Sequence, residues 1–552
     1  MFFVSLLFFL LTIFSYTSST NDAHINDNPI VETKNGLVLG AKFAVENTTF
    51  SYYGFQGIPF AEPPIGKRRF LPPESKKNWT GTLNATRDIP SCMQVAKPDS
   101  TMKLSEDCLV LNVYSPDLKG LYPVMFYIYG GAFIFGTASK RIYGPEHLIQ
   151  ENVVIVVTNY RLGIFGFLST QDDVVPGNNG LRDQIMALEW VKENIRAFGG
   201  DPNRVTIFGE SAGSASVSLL LQAKPAEGLF HGAIMESGVS LSLFARTRDP
   251  LDIAFSTAEG LNIIALTSKE LVEKLRAVDA NDLQKASTQS MFVAAVLENP
   301  LGGLFFSPCL EHHHKGAVLS EYNHEKLMKG GFAKVPVIVG FNSAEGNPFA
   351  IALKNHPLLG LRYDLDNALL IPPSMNVKNS HKTEVGSEIK KYYFGKRTIT
   401  SSALHISKYI TDDQFLRPTI EFVRLISAVT PTYLYEFSYV GSASIGTREL
   451  PGVGHAEDVK YLWNDGKPLD KKDQITSNKL VKLWTNFAKY RNPTPSRELI
   501  LKEVIWQPSN SLNFSYLQID KTLSMKYNPR INDVNFWYSI FDKYGNPPYD
   551  TY

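Results

Sequence analysis

The sequence predicts an α/β fold with a large, mostly parallel central sheet, and three observations carry that expectation. Apolar runs recur without alternation, helical periods fall between them, and one strand–turn–helix junction holds Gly209-Glu210-Ser211-Ala212-Gly213. Runs that lack alternation mark strands buried on both faces, as in a parallel sheet covered by helices. They are 123–129 (PVMFYIY), 153–158 (VVIVVT), 204–208 (RVTIF), 335–339 (VPVIV) and 431–437 (PTYLYEF). Ahead of them, 31–40 (VETKNGLVLG) reads as an N-terminal antiparallel hairpin turning at Asn35-Gly36. The clearest helical period is 181–197, closed by Phe198-Gly199-Gly200, and 477–490 is a second amphipathic stretch. Long insertions fall at about 240–330 and about 350–420.

Length and composition pull in different directions. A chain of 552 residues suggests two to four domains. No low-complexity tract, linker or repeat divides it, and 44% hydrophobic with 20% charged residues is ordinary for a globular protein. The 55 basic and 54 acidic side chains leave a net charge of +1, which excludes an electrostatic case for nucleic acid or an anionic membrane surface.

The N-terminus points to export. Phe2 to Phe14 is an almost wholly apolar run, too short to span about 30 Å of hydrocarbon, and Thr17 and Ser19 suit a cleavage site. A signal peptide over 1–19 and one domain over 20–552 are therefore expected, with a retained anchor as the rival, although no basic residue precedes the run. No other stretch looks transmembrane. Four sequons, at Asn47, Asn78, Asn84 and Asn513, agree with a secreted glycoprotein. Export also permits a disulfide: Cys92 and Cys108 are close enough to close a short loop, leaving Cys309 as a free thiol, whereas three reduced core cysteines are the alternative.

The chemistry concentrates at Ser211. Small residues on both sides of a serine between strand and helix permit a strained turn that lifts the hydroxyl above the sheet edge. The same turn aims the amide of Ala212 at that spot. Upstream, strand 123–129 runs into Gly130-Gly131-Ala132, so the amides of Gly131, Ala132 and Ala212 are the candidate oxyanion-hole donors. A serine needs a base oriented by a third group, in the order serine, acid, histidine for this architecture. The run His312-His313-His314 lacks partners at metal-ligand spacing and reads as a solvated loop.

Two long motifs extend these readings, 198–213 (FGGDPNRVTIFGESAG) and 106–116 (EDCLVLNVYSP), with support from 57–64 (GIPFAEPP), 159–163 (NYRLG) and 177–184 (GNNGLRDQ). Through them the chain resembles the type-B carboxylesterase/cholinesterase family of α/β-hydrolases, and most resembles its secreted insect carboxylesterases. The resemblance implies Glu345 as acid, in 340–346 (GFNSAEG), and His455 as base, in 452–458 (GVGHAED). It implies ester hydrolysis through an acyl-enzyme on Ser211, with neither metal nor cofactor, and an electrostatic role for Glu210. Because the three residues must meet, one domain outweighs the several that length alone suggests.

The resemblance also narrows the substrate. Cholinesterases hold a quaternary ammonium on a Trp in the first disulfide loop, whereas 92–108 here contains no aromatic residue, so small apolar esters are expected instead. Around the acyl pocket that the resemblance implies, the stretch 301–308 (LGGLFFSP) is small and apolar, so a less obstructed pocket that takes acyl groups larger than acetate is expected. Juvenile hormone esterases usually carry Gln before the nucleophile, and Glu210 departs from that. Alternatives are a catalytically silent adhesion protein of the same fold, disfavoured by the complete set of three residues, and a specialised hormone or odorant esterase or lipase.

Overall fold

The computed structural model describes residues 24–25, 28–95, 101–297, 302–444 and 449–552. The leader, part of the Cys92–Cys108 loop and Leu301 lie outside them. Among the described residues a twelve-stranded sheet runs through the molecule. Its centre is a run of parallel strands in the spatial order Val154–Thr158, Tyr122–Ile128, Gly200–Glu210, Gly232–Glu236, Val337–Asn342, Thr432–Phe437 and Ser515–Ile519. All five apolar runs fall in this parallel part. Gly232–Glu236 and Val337–Asn342 are buried at every position, as burial on both faces requires.

Antiparallel strands finish both edges. Leu523–Tyr527 closes one, while Val110–Ser115, Ser51–Pro59, Ala41–Ala44 and His24–Ile25 extend the other. The expected hairpin forms with Ile30 opposite Leu39, but it stands outside the central sheet, in a three-stranded sheet completed by Thr82–Asn84.

The sheet order explains where a site belongs. From Tyr122–Ile128 the chain passes to Val154–Thr158 on one side, then returns to Gly200–Glu210 on the other. At such a switch the connections leave in opposite directions and open a crevice beyond the carboxyl ends of the strands. Both Gly130-Gly131 and Ser211 follow strands that flank this switch.

Helices cover the sheet and fill the insertions. Asn179–Asn194 tightens into a 3-10 turn over Ile195–Phe198 and ends on the left-handed Gly199, two residues upstream of the expected start. Lys471–Tyr490 begins six residues before its expected start, because Asp470 caps it by accepting from the N–H groups of Lys472 (2.8 Å) and Asp473 (2.9 Å). The insertions are mainly helical, with Pro250–Glu259, Ser268–Ala277 and Ala280–Leu297 in the first and Asn347–Asn355 through Arg417–Ile426 in the second. No helix among the described residues is long and apolar enough to cross a membrane.

Candidate active site

Ser211 sits at the turn between strand Gly200–Glu210 and the fully buried helix Ala212–Gln222. Its backbone is at φ 57° and ψ −121°, a sparsely populated conformation that costs about 1–3 kcal/mol and persists only where surroundings hold it. They do: its N–H donates to the Glu236 carbonyl at 2.8 Å, and its carbonyl accepts from Ala215 at 2.8 Å. A Cβ on Gly213 would lie 2.0 Å from the Ile128 carbonyl oxygen, which is why only glycine fits there. Ser211 is half-buried between buried neighbours, so its hydroxyl is reachable.

Glu345 follows strand Val337–Asn342 and His455 lies in the loop after 449, yet the fold brings both to Ser211. His455 Nε2 is 2.7 Å from Ser211 Oγ, and Nδ1 is 2.7 Å from Glu345 Oε2. A carboxylate only accepts, so Nδ1–H donates to Glu345 and Nε2 is left to accept the serine proton. The second oxygen of Glu345 accepts the Asn342 N–H at 2.6 Å and the Ser237 hydroxyl. Asn342 also donates through Nδ2 to the Gly454 carbonyl (2.9 Å) and to Asp458 (3.0 Å), which ties the histidine loop to the acid strand. Asn342 stands in sequence only as the fixed Asn of the 340–346 motif, with no role of its own, and Ser237 was not singled out; the small pair Ser237-Gly238 just past a buried strand was the available signal.

Glu210 adds a carboxylate beside the base. Its Oε1 lies 3.3 Å from His455 Nε2 and has no hydrogen-bond donor among the described residues. Burial pushes the Glu210 pKa up to about 8, against the pull of His455 and with further push from Asp458 and Glu345. For His455 burial acts downward, but Glu210 and Glu345 more than offset it and raise its pKa to about 9. Asp458 is pushed up to about 6, chiefly by burial.

The three candidate oxyanion donors come from two segments that meet at the serine, where a Cβ on Gly130 would lie 3.1 Å from Ser211 Cβ. Gly131, Ala132 and Phe133 have φ of 103°, 53° and 60°, a turn of left-handed residues that leaves its first amides unpaired. The N–H groups of Gly131, Ala132 and Ala212 donate to no acceptor among the described residues, and Ala212 opens a helix whose dipole favours negative charge there. The Gly131 loop is braced on the outside. Gln94 donates to the Gly136 carbonyl and accepts its N–H, both at 2.9 Å, while Val95 donates to Ile134 at 3.3 Å. Gln94 follows the disulfide Cys92–Cys108, which forms with Cα atoms 5.0 Å apart.

Other expectations sort themselves plainly. Cys309 is free and buried, and burial raises its thiol to about 11. His312 pairs with Asp173 at 2.7 Å and His314 with Glu311 at 2.8 Å. Among the described residues no group of three His, Cys, Asp or Glu is placed to hold a metal ion. Asn47, Asn78, Asn84 and Asn513 are all exposed. Residues 302–305 border a cleft of about 180 Å³ whose walls also include Arg246, Arg248, Asp249 and Asp252, and Arg248 donates to the Gly302 carbonyl at 2.9 Å.

The sheet order and the sharp strand-to-helix junction at its switch point define an α/β-hydrolase. The chain belongs to the carboxylesterase family, whose family model matches residues 27–537, and it is a carboxylic ester hydrolase. Juvenile hormone esterase of Tribolium castaneum is 36% identical over 89% of this chain and 87% of its own length. Carboxylesterase 4A of Bos taurus is 32% identical over 92% and 94%. Among solved structures, juvenile hormone esterase from Manduca sexta with OTFP covalently attached superposes with a TM-score of 0.83, at 29% identity, covering 94% of this chain and 100% of that one.

Proposed function

We propose that this protein is a secreted serine carboxylesterase acting on small apolar esters through an acyl-enzyme on Ser211. The observation that carries the reading is the bridge made by His455, 2.7 Å from Ser211 Oγ on one side and 2.7 Å from Glu345 on the other. In the first half-reaction His455 takes the proton from Ser211 as its oxygen attacks the ester carbonyl carbon. Glu345 holds the imidazole in the tautomer that can accept and steadies the imidazolium that results. The amides of Gly131, Ala132 and Ala212 receive the oxyanion, and each such donor is worth about 3–4 kcal/mol in the transition state. The alcohol leaves with the proton from His455. Water, deprotonated by the same base, then attacks the acyl-enzyme and releases the acid. Cleavage of a leader over 1–19, a single domain over 20–552 and glycans on the four exposed asparagines complete the proposal.

The test uses the purified chain, 4-nitrophenyl butyrate and Ser211→Ala. Wild type turns the ester over, and the variant loses about 10⁴-fold or more in kcat/KM. Incubation with OTFP adds covalent mass to the wild type and none to the variant. Turnover that survives Ser211→Ala sinks the assignment of the nucleophile, and a wild type without turnover promotes the adhesion reading.

A further inference from the structure

The helical run from Ala403 to Ile426 changes its winding in the middle. Ala403–Ile410 is α-helical, Thr411–Leu416 opens into a π turn, and Arg417–Ile426 is α-helical again. A π turn is rare and occurs mostly where its side chains are put to use. Two of its residues are anchored away from the site: Asp412 pairs with Arg530 at 2.9 Å and accepts from Tyr393 at 3.0 Å, and Asp413 pairs with Arg417 at 2.7 Å. Asp412, Asp413, Arg417 and Tyr393 are buried and Arg530 is half-buried, so the turn is held firmly from that side.

Two other residues of the turn reach the acid–base pair. Thr411 Oγ1 accepts the N–H of Gly346, the residue after Glu345, at 2.9 Å and donates to the Ser407 carbonyl at 2.7 Å. The fit is close, since a Cβ on Gly346 would lie 2.2 Å from that same Ser407 oxygen. Ser407 in turn donates to Asn347 Oδ1 at 2.7 Å. Four residues after Thr411, the ring of Phe415 lies 4.8 Å from the imidazole of His455 and is almost fully buried.

We propose that the π turn Thr411–Leu416 is the positioning element of the acid–base pair, with Thr411 setting the loop that carries Glu345 and Phe415 setting the plane of His455. The proposal rests on the catalytic reading of Glu345 and His455 above. Neither residue touches the reacting atoms; both act through the groups that do. The charged groups facing His455 are Glu210 from the nucleophile turn, Glu345 from the acid loop and Asp458 from its own loop. Loosening Glu345 alone therefore removes one of the groups that keep the proton on His455.

Thr411→Val keeps the shape and deletes both hydrogen bonds, whereas Thr411→Ser keeps them. The Val variant loses about 10- to 100-fold in kcat, as a displaced catalytic group does, with KM within about 2-fold. Its pH–rate limb moves to lower pH, and the Ser variant restores both rate and limb. Phe415→Leu, read the same way, carries the test if the Val variant does not fold by thermal unfolding. A wild-type rate and limb in the folded Val variant overturn the proposal, as does equal impairment of the Ser variant. In either case an inactive Ser211→Ala leaves the nucleophile assignment standing.

Discussion

Glu210 Oε1 and His455 Nε2 lie 3.3 Å apart, although the same nitrogen faces the serine hydroxyl. The contact puts a second carboxylate on the base, beside Glu345, and both act to raise the affinity of His455 for a proton. A base works only when neutral, so kcat/KM climbs with pH through the apparent pKa of this coupled set. In Glu210→Gln one carboxylate is gone, and the climbing limb moves to lower pH by about 1 unit or more. The plateau also drops, because the imidazolium of the transition state loses a partner. A pH–rate profile on 4-nitrophenyl butyrate measures both, and a limb in its wild-type position would refute the electrostatic role of Glu210.

Gly131 is the most demanding position of the proposed oxyanion loop. Its φ of 103° disfavours any side chain, and a Cβ would lie 2.1 Å from the Phe135 carbonyl oxygen. Gly131→Ala must therefore shift the loop and misaim the amides of Gly131 and Ala132. The expected loss is about 10²–10³-fold in kcat, the scale of a lost oxyanion donor, and is read by steady-state kinetics beside circular dichroism. A folded variant with normal kcat would remove these amides from the mechanism.

The disulfide Cys92–Cys108 braces the same loop through Gln94. Replacing both cysteines with Ser is expected to cost about 2–4 kcal/mol of stability, seen in urea unfolding. Gln94→Ala leaves the bridge intact and cuts both hydrogen bonds to Gly136, so it lowers kcat with a much smaller loss of stability. Equal effects of the two changes on both quantities would mean that the loop is not separately held.

Legibility from sequence followed how local each signal was. Ser211 sits in a short motif at a strand end, and the resemblance supplies short motifs around Glu345 and His455, so these candidates needed no knowledge of how the strands assemble. Ser237 could not be read in that way, because the carboxylate it donates to lies 108 residues away in the chain and is brought to it by folding. Strand Ser51–Pro59 was missed since Gly54 and Gly57 break its pattern and its outward positions are half-exposed. The first turn of Lys471–Tyr490 is mostly polar, so periodicity was weak there, and Asp470 was the better marker. The 302–305 stretch looked apolar on its own, but its neighbours in space bring two arginines and two aspartates. A π turn adds no pattern that a window of sequence distinguishes from an ordinary helix.

The separation of 244 residues between Ser211 and His455 also has a consequence in time. A ribosome adds about 5–20 residues per second, so the nucleophile turn is made roughly 10–50 s before its base exists. During that interval the nascent chain holds a serine at the end of a helix with nothing to take its proton. On the proposed roles, it passes through that part of its synthesis unable to cleave an ester, and gains the activity only when the strands beyond residue 430 have been laid beside the rest.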